Sequence, residues 1–109
     1  MKNIANILYL SEIVNNYDIF ILDQWGVMHD GFLGYPNAIK CVDKLIKAKK
    51  KLIIISNSSK RKISTLNKLP KLGFNKDDFI EVMTSGEVIW KSLFFKSSKT
   101  ISDIGKNCF

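Results

Sequence analysis

Two four-residue apolar runs, Ile19 to Leu22 and Leu52 to Ile55, each run into a polar cluster, and the stretch between them has helical periodicity. A strand with one wet face alternates apolar and polar side chains. Runs without alternation instead predict strands of a parallel sheet covered by helices. Four residues are also far short of the ~20 that a membrane-spanning helix needs, so no span is expected. The first strand is read over Tyr17 to Leu22. Pro36 then opens a helix whose apolar positions Ala38, Ile39, Val42, Leu45, Ile46 and Ala48 share a 3.6-residue period. A second strand covers Lys51 to Ile55 and ends in Ser56, Asn57, Ser58 and Ser59. Ile63, Leu66, Leu69 and Leu72 form the next helical stripe, which Pro70 should kink or stop and Gly73 should cap. Phe79 to Met83 reads as a third strand, Gly86 to Phe95 as a third helix, and Thr100 to Ile104 as a candidate fourth strand. Ahead of them all, Ser11 is placed to cap a short helix with Ile13 and Val14 turned inward, ended by Asn15 and Asn16.

Charge and cysteine usage remove several function classes. The 109 residues carry 17 Lys+Arg against 10 Asp+Glu, a formal charge of +7, while 46% hydrophobic residues argue for a packed core over disorder. The basic residues cluster at Lys47, Lys49, Lys50 and Lys51 and at Lys60, Arg61 and Lys62, flanking a strand without interleaved aromatics. Solvated surface therefore outranks a nucleic-acid-binding module, which stays as the last of three readings. Cys41 and Cys108 are too few for a disulfide scaffold or a zinc site, and Cys41 falls among helical core positions as a small hydrophobe. Met1 to Tyr9 has only Lys2 as charge and no small-residue cleavage site follows, so a cytoplasmic location is the expectation. Trp90 is expected in the core, sharing a helical face with Leu93 and Phe94.

Strands alternating with helices imply right-handed crossovers and ligands at the carboxyl ends of the strands. Three segments lie there: Asp23 to Gly31, Ser56 to Ser59, and Thr84 to Glu87. Asp23 directly follows the first apolar run, at the strand tip, and Gly26 permits a sharp turn after it. Taken alone, a strand-end Asp more often caps a turn than attacks a substrate. Across the cleft, the Ser56 hydroxyl and the amides of Asn57 and Ser58 suit a phosphate-like anion, and Lys60 or Arg61 can add charge.

At these positions the chain resembles the haloacid dehalogenase superfamily. DQWGVMHDG at Asp23 to Gly31 is similar to its motif I, and LIIISNSS at Leu52 to Ser59 to its motif II. YPNAIKCVDKLIKAKKK between them, KLGF near Gly73 and VMTSGEVIW at Val82 to Trp90 extend the likeness over nearly the whole chain. The pattern most resembles the class IIA branch, and within it the group with D-x-W-G-V in motif I. The resemblance implies a three-layer, Rossmann-like α/β fold and a Mg²⁺-dependent phosphatase acting on a small phosphorylated substrate. Asp23 would be the nucleophile that forms an aspartyl-phosphate, with Mg²⁺ on its carboxylate and on the Trp25 backbone carbonyl. Ser56 would contact the phosphoryl group, with Asn57 and Ser58 as further substrate-binding residues.

Two departures qualify what the resemblance implies. Phosphatases of this superfamily place a proton-transferring Asp two residues after the nucleophile, where this chain has Trp25. His29 and Asp30 lie nearby, but a lone His is more often a surface or packing residue. The superfamily's motif III lysine, motif IV acids and cap also come later than 109 residues reach, and Lys91, Lys96, Lys99 and Lys106 have no matching context. The chain thus reads as the amino-terminal part of a core domain, without the cap and the carboxyl-terminal half. Such a sheet should expose an apolar edge that invites self-association or a complementary half. The competing reading is a catalytically inactive fragment that works only with that partner.

Overall fold

A computed structural model describes residues 6–105, so Lys106 and Cys108 fall outside the described residues. Three strands, β1 (Ile19–Leu22), β2 (Lys51–Ser56) and β3 (Phe79–Thr84), form one parallel sheet in the order β1-β2-β3. Helices α1 (Pro36–Lys47) and α2 (Lys62–Lys68) make the two crossovers, and α3 (Ser85–Phe95) and α4 (Lys99–Ser102) follow the last strand. This is the parallel α/β order that the unalternated apolar runs predict, although among the described residues only one face of the sheet is covered.

Register decides which side chains share a face. Phe20 lies opposite Leu52 and Leu22 opposite Ile54, and Ile54 in turn lies opposite Val82. These residues meet Val42 and Leu45 of α1, with Leu69, Leu72 and Phe74 completing one core cluster. Leu52, Ile54 and Leu69 lose all contact with solvent. Truncating any of them to alanine should cost about 2–5 kcal/mol. The opposite face carries Ile19, Ile21, Ile55 and Met83, all exposed. Among the described residues, helices therefore cover one face of the sheet and leave the second bare.

Local signals explain most boundaries. Pro36 starts α1 where its missing N–H costs nothing. α2 stops at Lys68 ahead of Pro70, the chain tightens into a 3₁₀ turn over Leu69–Leu72, and Gly73 closes it, as expected. Four expectations need correction. β1 begins at Ile19, not Tyr17, although the Asp18 carbonyl still accepts from the Lys51 N–H at 2.9 Å. The amino-terminal segment forms two 3₁₀ turns, Leu10–Glu12 and Val14–Asn16. Its first cap is Tyr9 rather than Ser11, because the Glu12 carboxylate accepts from the Leu8 and Tyr9 amides at 3.1 and 2.8 Å. The segment read as a fourth strand forms α4 instead: the Ser98 hydroxyl accepts from the Ile101 amide, a helix start that overrides the β-branched residues. Trp90 is 37% exposed and lies outside the core, stacked on Phe94 at 4.8 Å.

Candidate functional site

β1 and β2 end side by side, which brings the two polar clusters of the sequence together. After Leu22 the pleat alternates: Asp23 continues the bare face with Ile21 and Ile55, and Gln24 turns toward the covered face with Ser56. Asp23 is exposed, and its Oδ1 accepts from the Gln24 amide at 2.7 Å. Ile21, Asp23, Ile55 and Asn57 line an open hollow of about 540 Å³ on that side. A second cavity, of about 290 Å³, is lined by Gln24, Trp25 and His29 from the first loop and by Ser56, Asn57, Ser58 and Lys60 from the second. Ser64, Thr65 and Lys68 of α2 close its far wall. Asn57 belongs to both hollows, whereas Asp23 and Ser56 line different ones.

The first loop is closed by its own backbone. Val27 and Met28 amides donate to the Gln24 carbonyl, Gly26 donates to the His29 carbonyl, and Tyr35 donates to Met28, all between 2.8 and 3.2 Å. Asp30 Oδ1 accepts from the Phe32 and Leu33 amides at 2.8 Å, and these bonds hold its carboxyl below the ordinary range. Gly31 takes φ +98°, and a Cβ there would collide with the Trp25 ring. Trp25 itself is 64% exposed and stands edge-on to His29 with ring centres 5.8 Å apart. His29 is only 4% exposed, and its Nδ1 accepts from the Gly31 amide at 2.9 Å. Burial, then the charge of Lys68, pushes its pKa below the usual imidazole value. The expectation of a surface or packing His29 holds for the packing, yet the ring also borders the second cavity.

The second loop is held by residues far along the chain. The Ser56 hydroxyl accepts from the Ser58 amide at 3.2 Å, and the Ser58 hydroxyl accepts from Lys60. Glu87, buried in the first turn of α3, accepts from Arg61 Nε at 2.6 Å, from Arg61 Nη2 at 3.2 Å and from the Lys62 amide at 3.0 Å. The Arg61 hydrogen bonds above all hold the Glu87 carboxyl down to about 2. The guanidinium also lies 3.6 Å from the centre of the Trp90 ring. Thr84 accepts from the Glu87 amide and donates to the Lys60 carbonyl, and Gly86 donates to the Ser58 carbonyl. At Gly86 a side chain would strike the Ser59 carbonyl, so the helix can approach the loop only without one. Thr84 and Glu87, which the strand-end rule offered as ligand positions, serve to fasten this loop, and Arg61 is taken up in that fastening. Lys60 remains on the cavity wall.

Sequence reasoning missed Lys68 and Ser64. Their signal was present as a polar stripe at helical spacing, Arg61, Ser64, Thr65 and Lys68, on the helix that follows the serine loop. Among the described residues no three His, Cys, Asp or Glu side chains gather as a metal cluster. Asp23 and the Trp25 carbonyl, which accepts none of the loop's backbone hydrogen bonds, are both hard oxygen donors near the strand tip. Mg²⁺ takes one or two carboxylates and fills its octahedron with water and phosphate oxygens, so this pair suits it as a partial set.

A family profile described as haloacid dehalogenase-like hydrolase matches residues 20–107. The crystal structure of a hydrolase of the haloacid dehalogenase-like family from Brucella suis 1330 superposes with a TM-score of 0.65 at 29% identity, covering 72% of this chain and 29% of that one. A putative NipSnap protein from Caenorhabditis elegans is 35% identical over 66 residues, which are 59% of this chain and 12% of the relative. The chain thus spans less than a third of the length of either protein. No helix among the described residues is long and apolar enough to cross a membrane.

Proposed function

Because the chain belongs to the haloacid dehalogenase-like hydrolase family, we propose that it carries the nucleophile and the phosphate-binding loop of a phosphoric-ester hydrolase of the class IIA type. The observation that carries the reading is the exposed Asp23 carboxylate directly after β1, in one open hollow with Asn57 of the loop that follows the neighbouring strand. An Asp23 oxygen attacks phosphorus and the ester P–O bond breaks, leaving an aspartyl-phosphate that water then hydrolyses to free phosphate. Ser56, Asn57 and Ser58 hold the phosphoryl oxygens, and Lys60 balances their charge. Asp23 and the Trp25 carbonyl would hold Mg²⁺, which neutralises phosphoryl charge so that two anions can approach.

Trp25 narrows the substrate class. An indole donates a hydrogen bond but transfers no proton, so no side chain at that position protonates the departing oxygen. Substrates whose leaving group needs little help, aryl or acyl phosphates, should react faster than alkyl phosphates. The test is Mg²⁺-dependent hydrolysis of 4-nitrophenyl phosphate against glycerol phosphate, by wild type and Asp23→Asn. The reading expects the aryl ester to win, and about 10³-fold or greater loss in Asp23→Asn. Equal rates in wild type and Asp23→Asn would end it.

The bare sheet face favours a second reading, in which turnover needs a complementary half seated on Ile19, Ile21, Ile55 and Met83. Turnover by the chain alone, abolished by Asp23→Asn, removes that requirement.

A further inference from the structure

We propose, resting on the phosphoryl-binding reading above, that His29 donates its Nε2–H directly to an oxygen of the anion held in the 290 Å³ cavity, with the Lys68 ammonium as a further charge on that anion.

The imidazole has two nitrogens, and the fold uses one. Nδ1 accepts from the Gly31 amide at 2.9 Å, so in the neutral ring the proton sits on Nε2. Nε2 meets no partner among the described residues, although His29 as a whole is only 4% exposed. Yet no fully enclosed side-chain nitrogen or oxygen among the described residues lacks a hydrogen bond. Nε2–H must therefore reach open space, and the open space that His29 borders is the cavity it shares with Ser56, Asn57, Ser58 and Lys68.

The surroundings specify what that N–H meets. The far wall supplies the Ser64 and Thr65 hydroxyls and Lys68, the near wall the serine loop and Lys60, and no carboxylate lines the cavity. A cavity with two ammonium groups, several hydroxyls and one fixed imidazole donor suits a tetrahedral oxyanion. The electrostatic influence of Lys68 on His29 agrees with their lining one cavity. A purely structural His29 accounts for Nδ1 and the turn, and leaves Nε2 without a task. The role requires no proton transfer: the donor is locked in place before the anion arrives, so its orientation costs nothing on binding.

The chain contains a single histidine, so its imidazole signals are unambiguous in a labelled sample. Inorganic phosphate is titrated into the full chain while imidazole nitrogen and carbon-bound proton shifts are followed beside the Asn57 and Ser58 amides. The expected result is a protonated Nε2 from the start, and imidazole and loop signals that move together with one dissociation constant. Loop amides that move past a silent imidazole overturn the role of His29 and leave the phosphate loop standing. Silence at both overturns the inference together with the phosphoryl reading beneath it. In a second arm, His29→Gln, whose amide nitrogen reaches the Nε2 position, should keep phosphate affinity within about threefold, while His29→Asn, which reaches only Nδ1, should lose about tenfold or more. Equal affinities in the two variants would overturn the inference.

Discussion

The two loops that meet at the strand tips are built in opposite ways. The turn from Asp23 to Tyr35 closes on itself through backbone hydrogen bonds, an Asp30 side-chain cap and a glycine that admits the Trp25 ring. The loop from Ser56 to Lys62 has little of its own and is fastened by Thr84, Gly86 and Glu87, some 25 residues later in the chain. One is a local structure that the tertiary fold merely positions. The other exists only once α3 has docked, so anything that loosens α3 should reach phosphate binding while leaving the turn intact.

Four substitutions test that contrast. The largest effect is expected from Glu87→Ala, which leaves the Arg61 guanidinium and the Lys62 amide without their shared acceptor. Its Tm should fall the furthest of the four, and phosphate affinity should fall with it. Because folding lowers the Glu87 pKa from 4.5 to about 2, its contribution is present in full above pH 4.5 and is lost as pH falls toward 2. Denaturant midpoints of wild type should therefore decline through that window, and those of Glu87→Gln should decline less. Gly86→Ala comes next. It pushes a methyl group against the Ser59 carbonyl and should cost about 1–3 kcal/mol, with the loop amides shifting more than those of the turn. Gly31→Ala should cost roughly 1–2 kcal/mol for the left-handed backbone and should displace Trp25 while the Arg61–Glu87 pair persists. Asp30→Asn should have the smallest effect, since Asn keeps an acceptor for the Phe32 and Leu33 amides and the carboxylate is exposed. Its chemical-shift changes should stay within the turn. If Asp30→Asn perturbs Ser58 as strongly as Gly86→Ala does, the two loops are not independent.

That division also sets what the sequence makes legible. The places of the strands and helices and the halt at Gly73 follow from patterns within a few residues, and the unalternated runs at Ile19 and Leu52 announce a parallel sheet even though the strands they form pair across some 30 residues. Motif likeness picks out Asp23 and the serine loop. What stays hidden is set across the chain. Arg61 reads as spare charge for an anion until Glu87 is seen to hold it, and Trp90 reads as core until its ring is seen beneath that guanidinium. The burial of His29 depends on a chain reversal between Gly26 and Gly34 that the single residue does not advertise. Thr100 to Ile104 misleads for the opposite reason, because strand propensity counts for little without a neighbouring edge, and a serine cap is enough to tip four residues into a helix.

The bare side of the sheet has one consequence for chemistry. Ile21 and Ile55 stand in the same hollow as Asp23, so any layer that closes over those two isoleucines also strips water from around the carboxylate. In a drier medium each charge acts at longer range and with greater force. Any cation that meets Asp23 would then be held more strongly beneath a sealed apolar face than in the open sheet.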